Sequence, residues 1–310
     1  MKRALVLGCG GVAGAAWSIP TLKQLSQDLD WDPRNADMLV GTSAGAVLAA
    51  LLGAGVSIDQ LMEFQQQGRI SGSRLHWNHD SSWGKPYPPL PKLAFPGTGL
   101  FKRSFKQDIS PFAALCGLSP AGQMNMGSLV HLIDSFTDTG EWVDHPDCRI
   151  MVVDANSGEH VALGTEQAPN TSIQTAVCAS YAIPSWCPPV EIAGKTFLDG
   201  GVASPTAATQ ALDSDIEEVI ILAPMSSPVL DKTRHPFNKA ERQVRRAMTK
   251  IVDKEVAQLR AAGKRVIRLE PGPEDLQAIG YNMMDHRRRE QVFVTAQRTA
   301  GEAVELALDY

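Results

Sequence analysis

Cysteine is scarce in this chain: five residues among 310, at positions 9, 116, 148, 178 and 187, with no CxxC pair and no regular spacing. That excludes a disulfide framework and a zinc-type ligand pattern, and it fits a reducing compartment. No uninterrupted apolar run reaches the ~18 residues of a membrane-crossing helix. The opening MKRALVLGCG has a basic start and a cysteine. Its apolar run is far shorter than the ~7–15 residues of an export signal, so it reads as a first strand entering a glycine turn. The expected location is the cytoplasm, with peripheral membrane contact left open. Excess charge is also small. The 29 basic and 34 acidic residues leave a net −5, which gives no footprint for nucleic acid. There is no internal repeat and no low-complexity tract.

What is present suits a globular α/β domain: 44% hydrophobic and 20% charged residues, in a chain long enough to bury a sizeable core. ALVLG (4–8), MLVG (38–41) and EEVIILAP (217–224) are apolar throughout rather than alternating, as in buried parallel strands. RIMVVDANSGEHVALG (149–164) reads as two strands about a turn, and VEIAGKTFLDGG (190–201) as a tight hairpin. RVIRLEP (265–271) reads as a last strand. Helical spacing covers 15–29, 44–52, a helix starting at Ser57, 104–116, 172–180, 238–262 and 285–308. Strands alternating with helices predict a three-layer α/β/α fold about a mainly parallel sheet. The chain is expected to form one domain over 1–310, with a Pro- and aromatic-rich insertion or cap at about 69–126 and a helical C-terminal extension at about 236–310. The insertion carries Trp77, Trp83, Tyr87, Phe95, Leu100, Phe101 and Phe105, a surface that could cover an acyl pocket, rest on lipid, or simply pack. In the 238–262 helix, Val244, Met248, Ile251, Val252, Val256 and Leu259 mark an apolar face. Arg242, Arg245, Arg246, Lys250 and Lys254 mark a basic face expected in solvent, as is the run Arg287 to Arg289.

Gly41-Thr42-Ser43-Ala44-Gly45 fits G-x-S-x-G, a strand-to-helix corner that presents a serine hydroxyl. Ser43 is either a nucleophile there or a helix N-cap. A nucleophile needs donors for an oxyanion and a proton acceptor. Gly10-Gly11-Val12-Ala13-Gly14 can expose backbone N–H groups at a helix start. The same loop fits a dinucleotide fingerprint through Gly8, Gly10 and Ala13, with Asp28, Asp30 and Asp32 near the acidic position. Asp199 closes an apolar strand before Gly200-Gly201, as a site residue or as an Asp-Gly turn. Of seven histidines, only His235 and His286 follow Asp199, and both stand in polar surroundings.

Four segments, in order, resemble the patatin-like phospholipases: Gly10 to Gly14, Gly41 to Gly45, Ala179-Ser180-Tyr181-Ala182-Ile183-Pro184, and Asp199-Gly200-Gly201. The resemblance implies a Ser–Asp dyad without histidine, cofactor or metal. Ser43 would be the nucleophile and Asp199 the base. Gly10, Gly11 and Val12 would form the oxyanion hole, supported by Gly14, Gly41, Gly45, Gly200 and Gly201. The substrate would be a lipid or other acyl ester. The chain departs from the family's pattern at Gly8-Cys9, where Asp-Gly is usual, at Ala13, where a basic residue is usual, and at Ser204-Pro205, where an asparagine is frequent. Two other readings stay open: a weakly active lipid-binding or regulatory relative, and a nucleotide-binding oxidoreductase.

Overall fold

The computed structural model describes the chain apart from residues 72, 74, 76, 80, 81, 83–85, 105–110, 139 and 310, and the side chains of 103, 104, 111 and 112. His76, Trp83 and Phe105 therefore lie outside the described residues.

The strands are β1 (Arg3–Leu7), β2 (Met38–Thr42), β3 (Cys148–Asp154), β4 (His160–Leu163), β5 (Val190–Ile192), β6 (Lys195–Asp199), β7 (Glu218–Leu222) and β8 (Arg265–Leu269). The helices are α1 (Gly11–Asp28), α2 (Ala44–Gly53), α3 (Ile58–Gln67), α4 (Thr98–Ser104), α5 (Pro111–Gly117), α6 (Gly127–Asp134), α7 (Ile173–Ser180), α8 (Pro236–Ala261), α9 (Pro273–Ile279) and α10 (Arg289–Leu308).

β3, β2, β1, β7 and β8 pair in that order and run parallel. β4 and β6 join β3 antiparallel, and β5 pairs with β6. Alternate residues of each central strand face opposite layers. Leu5, Leu7, Leu39, Ile220 and Leu222 pack toward α1, α2 and α10. Ala4, Val6, Val40, Val219 and Ile221 pack toward α8 through Val252, Val256 and Leu259. Burial on both faces explains why these strands are apolar throughout. The result is the three-layer arrangement expected.

The element boundaries differ in places. α1 starts at Gly11, four residues before its expected start, and carries Pro20 within it. In the insertion, α5 covers the described end of the helix expected over 104–116, whose residues 105–110 lie outside the described residues, and α4 was not anticipated. Ile70, Leu75 and Trp77 are drawn into the main core, so the insertion is anchored rather than loosely appended. α6 and α9 were not anticipated. Each is short, and too few turns are present for a sustained period to stand out.

Three expectations of solvated charge fail. Arg242 and Arg245 are buried, not on a wet basic face. Arg242 is held by Asp231 and Glu241, and Arg245 by Glu241 one turn earlier, which compensates both cations inside the protein. Arg289 is buried and donates to the Gln65 carbonyl. His286 is buried too, in a 3-10 turn between α9 and α10. Arg246, Lys250 and Lys254 do face solvent.

Candidate active site

The register of β3 brings the two candidate residues together. β2 lies against residues 148–151 of β3, with Thr42 opposite Met151. β6 lies against residues 152–154, with Asp199 opposite Val152. β4 pairs with 150–153 and so takes the other edge. β2 and β6 therefore share one edge of β3 end to end, and their C-terminal ends meet at adjacent rungs. Ser43 follows Thr42 directly, and Asp199 is the last residue of β6. Residues 156 apart in the chain become neighbours through topology alone.

Ser43 is buried and has φ 57° and ψ −118°, a conformation that L residues rarely adopt. Its side chain makes no capping bond to α2, which removes the N-cap explanation. The corner is tight because β2 must turn straight into α2. A Cβ at Gly45 would overlap the Leu7 carbonyl oxygen, so only glycine fits there. The Ser43 N–H donates to the Ser180 hydroxyl at 2.8 Å, and Ser180 donates onward to the Met151 carbonyl at 2.7 Å. Ser180 thus pins the corner to β3. It was part of a recognisable segment, but nothing in the sequence assigned it this bond. Holding a serine in such a backbone conformation costs about 1–3 kcal/mol. Ser43→Gly should therefore unfold at higher denaturant than Ser43→Ala, by about 1–2 kcal/mol in a urea titration, since glycine adopts this region freely.

Asp199 is 5% exposed. Its carboxylate accepts the Gly201 N–H at 2.7 Å, which orients it. Burial pushes its carboxyl up to about 7, while hydrogen bonds from the Ser43 hydroxyl and the Gly201 N–H pull the other way. An acceptor with that affinity for a proton is far better matched to neutral pH than an ordinary carboxylate.

The glycine loop lies beside this pair. Gly8 N–H donates to the Leu222 carbonyl at 2.9 Å, Cys9 N–H to Pro205 at 2.8 Å, and Ala13 N–H to Met283 at 2.9 Å. Among the described residues, the N–H groups of Gly10, Gly11 and Val12 have no partner, nor has that of Ala44 at the start of α2. The N-termini of α1 and α2 both supply unpaired N–H groups at the site, an arrangement that favours developing negative charge. Gly11 has φ +57°, and a Cβ there would fall 2.8 Å from the Met283 carbonyl oxygen. The 283–284 segment thus closes over the loop, a contact with no signature in the sequence. The substitution of Ala13 leaves a small buried residue and does not disturb these donors.

From Gly11 and Ala44 an apolar slot runs between α1 and α2, past Ala15, Ile19, Val47 and Leu51, toward Phe64 and Gln65 of α3. It is nearly closed, with about 20 Å³ open, room for about one water.

Other candidates fall away. Among the described residues no hydrogen bond joins Ser43 or Asp199 to a histidine. His235 stacks on Tyr281 at 5.7 Å. Asp32 is occupied by Arg34 and caps a short 3-10 turn, so it is not presented to a ribose. No group of side chains among the described residues is arranged to hold a metal ion. Cys9 lies beside Gly201, and burial with the nearby Asp199 raises its thiol far above the usual range, which disfavours the thiolate that a cysteine nucleophile needs.

A family model described as patatin-like phospholipase matches residues 5–212. The chain belongs to the patatin-like phospholipase family. Membership places this patatin-like protein among lipid hydrolases in the broad sense. Among solved structures, it is similar to VipD from Legionella pneumophila, at 14% identity and a TM-score of 0.39, over 95% of this chain and 67% of that one. No curated protein matched in the sequence comparison. The matched region ends before β7, so the strand that holds Gly8 and the segment over Gly11 both come from beyond it.

Proposed function

We propose that the protein is a serine acyl hydrolase of phospholipase or carboxylesterase type, cleaving lipid esters through Ser43 and Asp199. The observation that carries this reading is a buried serine hydroxyl, held at a strained corner, against a carboxyl raised to about 7. Asp199 takes the hydroxyl proton as Ser43 Oγ attacks the ester carbonyl. The N–H groups of Gly10, Gly11 and Val12 hold the oxyanion, a contribution of ~3–4 kcal/mol for a well-placed donor. The tetrahedral intermediate collapses, and Asp199 returns the proton to the departing alcohol. Water then attacks the acyl-enzyme by the same steps in reverse, releasing the acid and restoring Ser43. The slot beside Ala44 takes the acyl chain, and α3 and Leu132 must part to admit it.

A fluorophosphonate probe tests the assignment. Labelling should fall on Ser43 and vanish in Ser43→Ala. Failure to label, with lipid binding retained, would favour a non-catalytic lipid-binding relative.

The substrate's setting suggests peripheral membrane contact, made from the cytoplasm. In the insertion Leu90 and Leu93 are 88% and 94% exposed, and Phe95, Leu115 and Leu118 are exposed as well. The Lys92–Ala121 pairing sets residues 90–95 beside the chain near 118–121, so exposed Leu90, Leu93, Phe95 and Leu118 stand on two adjacent segments. α4 and α5 of the same insertion pack, through Leu100 and Ala113, on Leu198 and Val202, on either side of Asp199-Gly200-Gly201. Burying a leucine in lipid is worth ~1.5–3 kcal/mol. Leu90→Glu with Leu93→Glu should cut sedimentation with anionic vesicles at least ~10-fold while leaving hydrolysis of a soluble p-nitrophenyl ester unchanged. Unaltered sedimentation would remove this surface from the proposal.

A further inference from the structure

Arg245 is 0% exposed and lies in α8, beyond the region the family model matches. Few observations in the chain call for explanation as strongly, because a fully buried guanidinium is retained only where its donors are used. Its Nη1 donates to the Pro224 carbonyl at 2.5 Å and to the Ser226 carbonyl at 3.1 Å. Its Nη2 reaches the Met283 sulfur at 3.8 Å. Nε and Nη2 are held by Glu241 at 3.0 and 2.8 Å.

The two segments it grips are the two that back the glycine loop. Pro224 stands directly behind that loop: a Cβ at Gly10 would fall 2.8 Å from the proline Cβ, and one at Gly14 3.1 Å from it. Pro224 also follows closely on Leu222, whose carbonyl holds Gly8. Met283 supplies the carbonyl that holds Ala13 and the backbone that abuts Gly11. Arg245 thus sits at the point where both supports of the loop meet, one on each terminus of its fork. The neighbouring charges balance. Arg242 and Arg245 face Glu241 and Asp231, two cations against two anions, so the cluster adds little net potential at the site. The action of Arg245 runs through geometry.

We propose that Arg245 is a positioning residue for the oxyanion loop, fixing the N–H groups of Gly10, Gly11 and Val12 through Pro224 and Met283. The inference rests on the hydrolase reading and goes beyond it, because it makes α8 a working part of the site. Arg242 provides the matched comparison. It is buried on the same helix and shares Glu241, but it donates to the Leu276 and Gly280 carbonyls rather than to Pro224 or Met283.

The test compares Arg245→Lys and Arg242→Lys with the full-length parent on a soluble p-nitrophenyl ester. Lysine keeps the charge and loses the fork. Arg245→Lys should lower kcat about 100-fold, the cost of a misplaced oxyanion donor, with KM within about 3-fold and the pH profile unmoved. Arg242→Lys should lose comparable thermal stability yet keep kcat within about 3-fold. A second arm uses Glu241→Gln with Arg245→Met, which removes one charge of each sign and leaves Arg242 to Asp231. It should reproduce the kcat loss if Arg245→Lys does not fold. Full kcat in either folded Arg245 variant, or an equal kcat loss in Arg242→Lys, overturns the proposal. A parent enzyme that neither hydrolyses esters nor labels at Ser43 fails at the earlier reading and takes this one with it. An active parent with an unaffected Arg245 variant fails here alone.

Discussion

Ser43→Ala and Asp199→Asn should each abolish ester hydrolysis, lowering kcat by about four to six orders of magnitude, while both proteins stay folded. The reason differs between them. Alanine removes the attacking oxygen and leaves the corner backbone as it was. Asparagine keeps the shape of Asp199 and can still accept the Gly201 N–H, but it cannot take a proton. In the proposed mechanism both belong to one relay, so the double variant should be no worse than either single one. The check is steady-state hydrolysis of p-nitrophenyl esters of rising chain length, with circular dichroism for fold. A purified Asp199→Asn that retains turnover would sink the dyad and return attention to a histidine. The fluorophosphonate label separates the two variants further. Ser43→Ala should not label at all. Asp199→Asn should label slowly, because its hydroxyl remains but has lost its acceptor.

The sequence shows the corners of the site well because each is local. An apolar strand, paired glycines and an apolar helix lie close together in the chain at 4–19 and again at 38–52, and physics at that range is set by neighbours. What joins the corners is not local. That Asp199 meets Ser43 depends on β2 and β6 sharing one edge of β3, which no pattern of hydropathy encodes. Charge was the least legible property. Periodicity marks which positions of α8 share a stripe, and it assigns arginines to solvent by default. Arg245 defies that default because its partners are a glutamate one turn earlier and carbonyls from a distant loop. Asp199 shows the same limit. An isolated aspartate has a pKa of ~4 and looks like a poor base. Only the assembled fold, by withholding water, raises its proton affinity to the level that the proposed role calls for.

Asp199→Asn should also stabilise the protein at neutral and alkaline pH, by up to about 4 kcal/mol, the free-energy equivalent of a rise from the usual aspartate value to about 7. The folded state prefers this carboxyl protonated, whereas the unfolded chain releases the proton near 4. Below that pH both states carry the proton and burial costs nothing extra. As pH climbs from about 4 toward 7 the unfolded state is progressively favoured, and the full penalty is present above 7. Urea titrations of parent and Asp199→Asn across pH 4 to 8 should therefore diverge steadily, with the two nearly equal at the acid end. Activity should move the opposite way. Only the deprotonated carboxyl can accept the Ser43 proton, so kcat/KM should rise through about pH 7 as stability falls. In the proposed mechanism, the same ionisation that weakens the fold arms the site. A stability difference independent of pH, or an asparagine variant less stable than the parent at pH 8, would mean that Asp199 is not the buried, raised carboxyl on which the mechanism depends.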